Sequence, residues 1–598
     1  MSTVKTNSAA RIEAPVTQWA EIPIAFAGMV GHFGPGGGPV GIVICDPWGF
    51  DQLCTRKFHR VLAASMASRG YPTLRFDYPG EGDAPAVKGG ADLESWIEGA
   101  VSAGHELRRL SGCGSVIFYG LGLGGAIALA AAERFNATSG VVLAVPALNG
   151  RRFLRETGLR ERVIVEDLGI TLDYPEGSVS LAGFILPTGV AAELKSFGVE
   201  GRGLKAGTPL LFLKRPENAT DEQVLQGLRE AGHAVDVATF PGYGEMMNGL
   251  NVSVTPPEPI AAVVEWIAAR WPLPDSVGRQ ATQDLPAPSI EDGSYIETPL
   301  LIGAEPRLFG VLCEPRDLEP RATVVFVNMA YTYHIGWGGL WVDAARTLAA
   351  DGIRSLRIDL SNIGDSPARP GTPEQVVYAS AQQHDLREAV DALQREYDGP
   401  VYLVGTCSGA YAALSFAGAN SDIAGVVSVN QLRLIWDEDE DVEETLRAGA
   451  RPLADYQRRA FSLGTYRRLL DGDIDVRRAI GNLLRLVAGR LVRGLAPYLG
   501  RLTKLGRFRT TLFGMLRDMK ARGARVTFVG CRIDGSLDEL ARYFGGDFAG
   551  LKSFDNIDLQ IIEETDHMLT PLSARRQLID IIRSVARADR SARDFTQT

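Results

Sequence analysis

The sequence predicts an α/β fold built twice: two domains in tandem, each a mostly parallel sheet flanked by helices, the second with a helical cap. Three observations carry this expectation. From about residue 22, short apolar runs alternate with longer amphipathic ones, the pattern of strands alternating with helices. The order then recurs: Asp77 and Asp359 lie 282 residues apart, as do Asp83 and Asp365, and Gly120 and Gly405 lie 285 apart. A near-constant offset through several elements marks an internal repeat. Each half also has a strand running into Gly-x-x-x-Gly and then into small, helix-compatible residues.

In the first half, the unbroken apolar run 40–45 reads as a buried strand and 58–69 as a helix. Residues 72–77 form the next strand, and Tyr78-Pro-Gly-Glu-Gly-Asp83 its turn. A helix over 93–110 and a strand over 115–119 follow. The second half repeats this with strand 322–328, helix 340–350, strand 354–359, turn Leu360-Ser-Asn-Ile-Gly-Asp365, helix 382–397 and strand 401–404. Its last strands fall at 525–530 and 558–562. The expected boundaries are a tail at 1–18, a first domain at 19–272, a Pro-rich linker without period at 273–292, and a second domain at 293–588.

The most informative stretch is Gly405-Thr406-Cys407-Ser408-Gly409. A nucleophile elbow places its central residue on a strained strand-to-helix turn, so its neighbours must be small. There the thiol stands near a helix N-terminus, where free N–H groups and the helix dipole favour a thiolate. A buried structural cysteine at a strand end is the plain alternative. An acid and a histidine downstream favour the nucleophile: Asp534 follows the strand at 525–530, and His567 lies in the loop after 558–562. Asp538 is the reserve acid, although the dipole alone explains a carboxylate early in a helix. The expected oxyanion donors are the Ser408 N–H and that of Ala330 or Met329, after the strand ending at Asn328. His334 lies on the same loop; it either contacts substrate or packs among its aromatic neighbours.

With these motifs in view, each half resembles an α/β-hydrolase domain. The shared features are strand–Gly-x-[nucleophile]-x-Gly–helix, the Asp-x-x-x-x-Gly-Asp turn, and the late acid and histidine. Cys45-Asp-Pro-Trp-Gly-Phe, Arg56-Lys57 and Pro241-Gly-Tyr-Gly-Glu-Met-Met247 make the first half similar to exosortase-associated hydrolases of bacterial polysaccharide machinery. The Gly-x-Cys-x-Gly elbow resembles those of polyhydroxyalkanoate synthases, which transfer acyl groups from coenzyme A, and of dienelactone hydrolases. That resemblance implies acyl chemistry and leaves the acceptor open.

The halves differ in chemistry. Gly122 stands where Cys407 stands, and Glu245 replaces the histidine, so the first half is expected to be non-catalytic. Its run Gly120-Leu-Gly-Leu-Gly-Gly125 is a weak phosphate-binding signal, because elbow sterics already explain the glycines. His567 follows Cys407 by 160 residues, whereas Glu245 follows Gly122 by only 123. The extra length, about 431–519, starts acidic at Asp437-Glu-Asp-Glu-Asp441 and turns Arg-rich, with Ile480, Leu483, Leu484, Val487, Leu491 and Leu495 at helical spacing. This reads as a helical lid. Its basic face is a surface for an acyl carrier, coenzyme A phosphates or an anionic glycan, or for peripheral contact with an anionic membrane. A smaller cap with β character at 163–166 and 178–180 is expected in the first half.

The 598 residues carry a net charge of −10, which argues against general nucleic-acid binding. Six scattered cysteines without a Cys-x-x-Cys pair fit a reducing compartment and no metal knuckle. No signal-peptide core and no membrane-length apolar run is present, so a cytoplasmic location is expected. The function expected is acyl hydrolysis or acyl transfer at Cys407, with no cofactor beyond an acyl-CoA or acyl-carrier thioester as substrate. A binding scaffold of two inert domains is the rival.

Overall fold

The computed structural model describes residues 21–198, 204–247, 254–273, 285, 288–303, 308–371, 374–442, 444–445 and 503–587. The tail, most of the linker and the Arg-rich part of the expected lid lie outside the described residues.

The first half contains β1 (Ile22–Phe26), β2 (Met29–Gly34), β3 (Val40–Cys45), β4 (Thr73–Phe76), β5 (Ser115–Leu121), β6 (Thr138–Ala144), β7 (Val179–Leu181), β8 (Phe184–Leu186), β9 (Leu210–Lys214) and β10 (Val235–Thr239). Eight of them form one sheet in the order β1-β2-β4-β3-β5-β6-β9-β10, and β7-β8 is a separate hairpin. The second half contains β11 (Ile290–Asp292), β12 (Tyr295–Ile302), β13 (Leu308–Pro315), β14 (Thr323–Val327), β15 (Arg354–Ile358), β16 (Val401–Thr406), β17 (Ile423–Val429), β18 (Arg525–Cys531) and β19 (Ile557–Ile562). They form a nine-stranded sheet in the order β11-β12-β13-β15-β14-β16-β17-β18-β19. In both sheets the early edge strands are antiparallel and the others parallel. The strand order around β3 and β14 is the same, as a repeat requires.

The core follows from period-2 side-chain alternation on strands buried on both faces. Along β3, Val43 and Cys45 face the layer containing helices Leu93–Ser111 and Leu123–Arg134, while Val40, Ile42 and Ile44 face helices Phe50–Ser68 and Pro257–Arg270. The helix expected at 58–69 starts a turn or two earlier, at Phe50. Residues 163–166, expected as β, lie inside helix Gly150–Leu168. Their β-branched residues adopt the local helix, which starts on an Asn149 cap and ends at left-handed Gly169. Residues 504–519, expected as lid, belong to helix Lys504–Ala521. Its Leu512, Leu516 and Met519 are buried in the core of the second sheet, so the apolar spacing there serves the helix layer.

The two halves meet through a reciprocal exchange of buried charge. Arg75 on β4 binds Asp365 of the second half at 2.8 Å, and Arg357 on β15 binds Asp83 of the first at 3.0 Å. Glu21 pairs with Arg75, and Glu297 with Arg357. Arg56 adds two contacts, to Asp365 at 2.8 Å and to Asp77 at 2.7 Å. His334 bridges the halves, with Nε2 2.6 Å from Asp83 and Nδ1 2.9 Å from Asp359. Burial would lower the His334 imidazole, but Asp83 and Asp359 outweigh it and push its pKa up to about 10. Burial would raise Asp365, but Arg56, His32 and Arg75 hold it well below the usual carboxylate range.

The sign of the pH effect follows. His334 keeps its proton in the folded protein, whereas the unfolded chain sheds it above about pH 6.5. Its contribution to stability is therefore complete below pH 6.5, erodes as pH rises, and is gone above about 10. Asp83→Asn should cost up to roughly 3–5 kcal/mol in urea unfolding at pH 7, because it takes from buried Arg357 and His334 one of the two carboxylates that each is paired with. It should also flatten the stability loss between pH 6.5 and 10. An unchanged pH profile in the variant would refute the bridge.

Candidate active site

Cys407 follows β16 directly, with φ 53° and ψ −117°, and helix Ser408–Ala419 starts at the next residue. Its N–H donates to Val429 O at 2.8 Å, which fixes the turn against β17. The small neighbours are a steric necessity. A Cβ on Gly405 would lie 2.3 Å from Gly409 O, and one on Gly409 would lie 2.2 Å from Asn328 O. In the first half Gly122 adopts the same backbone, φ 56° and ψ −124°, without a side chain.

The structure brings Cys407, His567 and Asp534 together. Asp534 sits three residues beyond β18 and accepts the Ser536 N–H at 2.7 Å through Oδ1. Its Oδ2 is bonded to His567 Nδ1. The Cys407 thiol lies near enough to the same imidazole to act on its charge. Burial would lower the His567 pKa, but Asp534 and Cys407 outweigh it and hold the ring well above its ordinary range. Asp538 lies in the first turn of helix Ser536–Phe544, so the acid paired with histidine is Asp534.

The oxyanion candidates show a finer pattern. As the first helical residue, Ser408 has an N–H without an intrahelical acceptor. The Ala330 N–H donates to Ser408 Oγ at 2.9 Å, so it is engaged, and Ala330 itself has φ 45°. Met329 lines the pocket beside His567. That pocket is walled by Met329, Tyr333, Trp337, Trp341, Met568 and Leu569, an apolar and aromatic surface around one imidazole. His334 is not part of it. Of the two readings open for this residue, substrate contact is overturned, because both ring nitrogens are held by carboxylates in the interhalf network. His334, Asp359 and Asp365 have donor atoms close enough for a metal ion, but Arg56, Arg75 and the imidazole itself already occupy those carboxylates.

Asn430 is a residue that sequence reasoning missed. At the end of β17, with φ 47°, it donates to His567 O at 2.8 Å and accepts the Cys531 N–H at 3.0 Å. It thus ties the histidine loop to the strand bearing the acid. The available signal was a polar residue closing the apolar run Val426-Val427-Ser428-Val429, where the first half has Val145. Asp566 stiffens the same loop by accepting the Thr570 N–H at 2.7 Å.

The first half packs against the loops of this site. Glu245, at the histidine position, is exposed. A Cβ on Gly49, which opens helix Phe50–Ser68, would meet Phe184 of the β7-β8 hairpin at 3.1 Å, so that hairpin packs close over the first-half site. The hairpin also crosses to the second half: Trp337 donates to Ala182 O at 2.6 Å and Arg575 to Gly183 O at 2.8 Å. Tyr174 donates to Thr570 O at 2.9 Å, and Asp173 accepts the N–H groups of Leu572 and Ser573.

An α/β fold with mostly parallel sheets, an elbow after a central strand, and an acid and a histidine after later strands defines the class. Residues 324–581 match the family model of the alpha/beta hydrolase family. No curated protein matches the chain. Among solved structures, a putative hydrolase from Agrobacterium vitis is 18% identical, over 42% of this chain and 98% of its own, with a TM-score of 0.30. Est1E from Butyrivibrio proteoclasticus, solved with ferulic acid, is 16% identical over 42% of this chain and 97% of its own, with a TM-score of 0.32. A monoglyceride lipase variant from Saccharomyces cerevisiae is 14% identical over 44% and 99%, with a TM-score of 0.31. Among the described residues, no helix is long and apolar enough to cross a membrane.

Asn430→Ala should leave the His567 carbonyl and the Cys531 N–H unpaired and cost about 1–3 kcal/mol for each. Turnover should fall more steeply with temperature than in the parent, as the histidine loop loosens. Thermal melts and activity measured on the same samples check both.

Proposed function

We propose that the second half is an acyl hydrolase or acyltransferase acting on an ester or thioester through an acyl-cysteine intermediate. The observation that carries this is one chain of contacts from Asp534 through His567 to Cys407, set on an elbow. The sulfur attacks the carbonyl as thiolate, with the proton on His567. The S–C bond forms as the carbonyl π pair moves onto oxygen, with the Ser408 N–H at the start of the elbow helix as its donor. The tetrahedral intermediate then expels the leaving group, which takes the His567 proton. In the second stage His567 removes a proton from water, alcohol or amine as it attacks the thioester, and Cys407 leaves. Asp534 holds the ring in one tautomer and stabilises the imidazolium.

No cofactor is required by this scheme, and an acyl-CoA or acyl-carrier thioester suits it as donor. The basic segment expected to receive such a carrier or a membrane lies outside the described residues. The first half acts as non-catalytic support. Its likeness to exosortase-associated hydrolases makes a glycan-linked acceptor one candidate, and a cytoplasmic location is part of the same reading. The scaffold reading makes the opposite prediction about the thiol.

Cys407→Ala should lower turnover of p-nitrophenyl butyrate by at least about 10³-fold while leaving the melting temperature nearly unchanged. An electrophilic acyl probe should label Cys407 in native protein before the other five cysteines, including half-buried Cys54, although Cys407 is itself buried. Native protein that stays unlabelled at 407 while denatured protein labels there would establish the scaffold instead.

A further inference from the structure

The residue that the scheme above leaves unused is Tyr378, in the loop before helix Ala381–Glu396. Its ring packs edge-on against Tyr411, centroids 5.2 Å apart, and Tyr411 is four residues beyond Cys407 on the elbow helix. Its face lies flat on Trp436, at 4.1 Å and 4°. It is buried in the same apolar cluster as Cys407, Met329 and Leu432. Its hydroxyl is buried and has no hydrogen-bond partner among the described residues. Leaving a phenol unpaired in such a place costs about 1–3 kcal/mol, and phenylalanine would avoid that cost.

The backbone is unusual as well. Tyr378 has φ 63°, a left-handed conformation that bulky side chains rarely adopt. The surrounding loop holds it there: Tyr331 donates to Gln375 Oε1 at 2.9 Å, and Gln375 accepts the Val377 N–H at 2.9 Å. A strained residue presenting an unpaired donor is the arrangement expected when the partner arrives with the substrate. Burial, and next to it the sulfur of Cys407, push the phenol well above its usual range, so it remains a donor.

We propose that Tyr378 is a further catalytic residue of this site, donating its hydroxyl hydrogen bond to the acyl oxygen as Cys407 bonds to the carbonyl carbon. The donor is needed because the Ala330 N–H is already given to Ser408 Oγ, which leaves the Ser408 N–H short of a second partner for the developing charge. No bond to Tyr378 forms or breaks, and its proton stays on the phenol. The inference rests on the acyl-cysteine reading.

The test uses Tyr378→Phe in the full chain, which keeps the stacking on Trp436 and removes only the hydroxyl. With p-nitrophenyl butyrate, kcat should fall on the order of 10²-fold, with KM changed far less. Alkylation of Cys407 by iodoacetamide, a displacement with no carbonyl oxygen, should keep its rate within about twofold. Undiminished kcat in the variant overturns the proposal. So does an equal loss of acylation and alkylation, which marks general damage to the elbow. Absence of Cys407-dependent turnover in the unsubstituted chain overturns the acyl-cysteine reading and this proposal together, and it shows in that chain alone.

Discussion

Two buried aspartates, each given by one half to an arginine of the other, hold this molecule in register. Asp83 and Asp365 occupy the same place in the repeat, and each reaches Arg357 or Arg75 across the boundary. Each also closes its own turn, since the Asp83 and Asp365 N–H groups bond to Asp77 and Asp359. A carboxylate and a guanidinium buried together are tolerated only when well paired, and separating the halves would strip Arg75, Arg357, Arg56 and His334 of their partners across the boundary. The two sheets therefore form one unit. The same constraint extends to the site. His334, clamped between Asp83 and Asp359, lies on the loop that also carries Ala330 and Trp337.

The same contacts give the first half a structural part in the site. Gly122 keeps the elbow backbone of Cys407 and meets no steric penalty at φ 56°, so the fold of the first half survives without its nucleophile. The β7-β8 hairpin packs against its Trp48 and Phe184 surroundings and turns its carbonyls outward to Trp337 and Arg575. Asp173 caps the N-terminus of helix Leu572–Arg587, immediately after the loop that holds His567. Contacts that would be cap-to-substrate in an independent domain have become contacts from one half to the other.

Much of this was legible in the sequence because the repeat supplied an internal control. The strands around the elbow and the glycine that stands in place of Cys407 follow from setting one half against the other, and the preference for Asp534 over Asp538 from its place at the mouth of a strand. The misreadings have a common cause. His334 packs among aromatic rings, one of its two expected readings, and substrate contact stayed open beside it because its partner Asp83 lies 251 residues away. The engagement of Ala330 by a hydroxyl 78 residues on leaves no periodic trace. Residues 163–166 have β-branched composition, but their backbone is decided by a capped helix around them. Local pattern reports which face of an element is apolar; it does not report which charged group from the other half will meet it.

Comparing strained positions between the halves separates what the fold requires from what the chemistry requires. Cys407 at φ 53° has its counterpart in Gly122 at 56°, Asn430 at 47° in Val145 at 43°, and Asn362 at 65° in Gly80 at 80°. Strain of this kind is present with and without a nucleophile, so it belongs to chain reversal at strand ends. Tyr378 differs. It stands three residues before helix Ala381–Glu396, and the residue three before helix Leu93–Ser111 is Gly90 at φ 89°, so the halves share the left-handed turn and differ in the side chain it carries. At this turn only the half that keeps the thiol carries a phenol, and a role toward substrate gives a reason to place one there where a glycine suffices for the chain reversal.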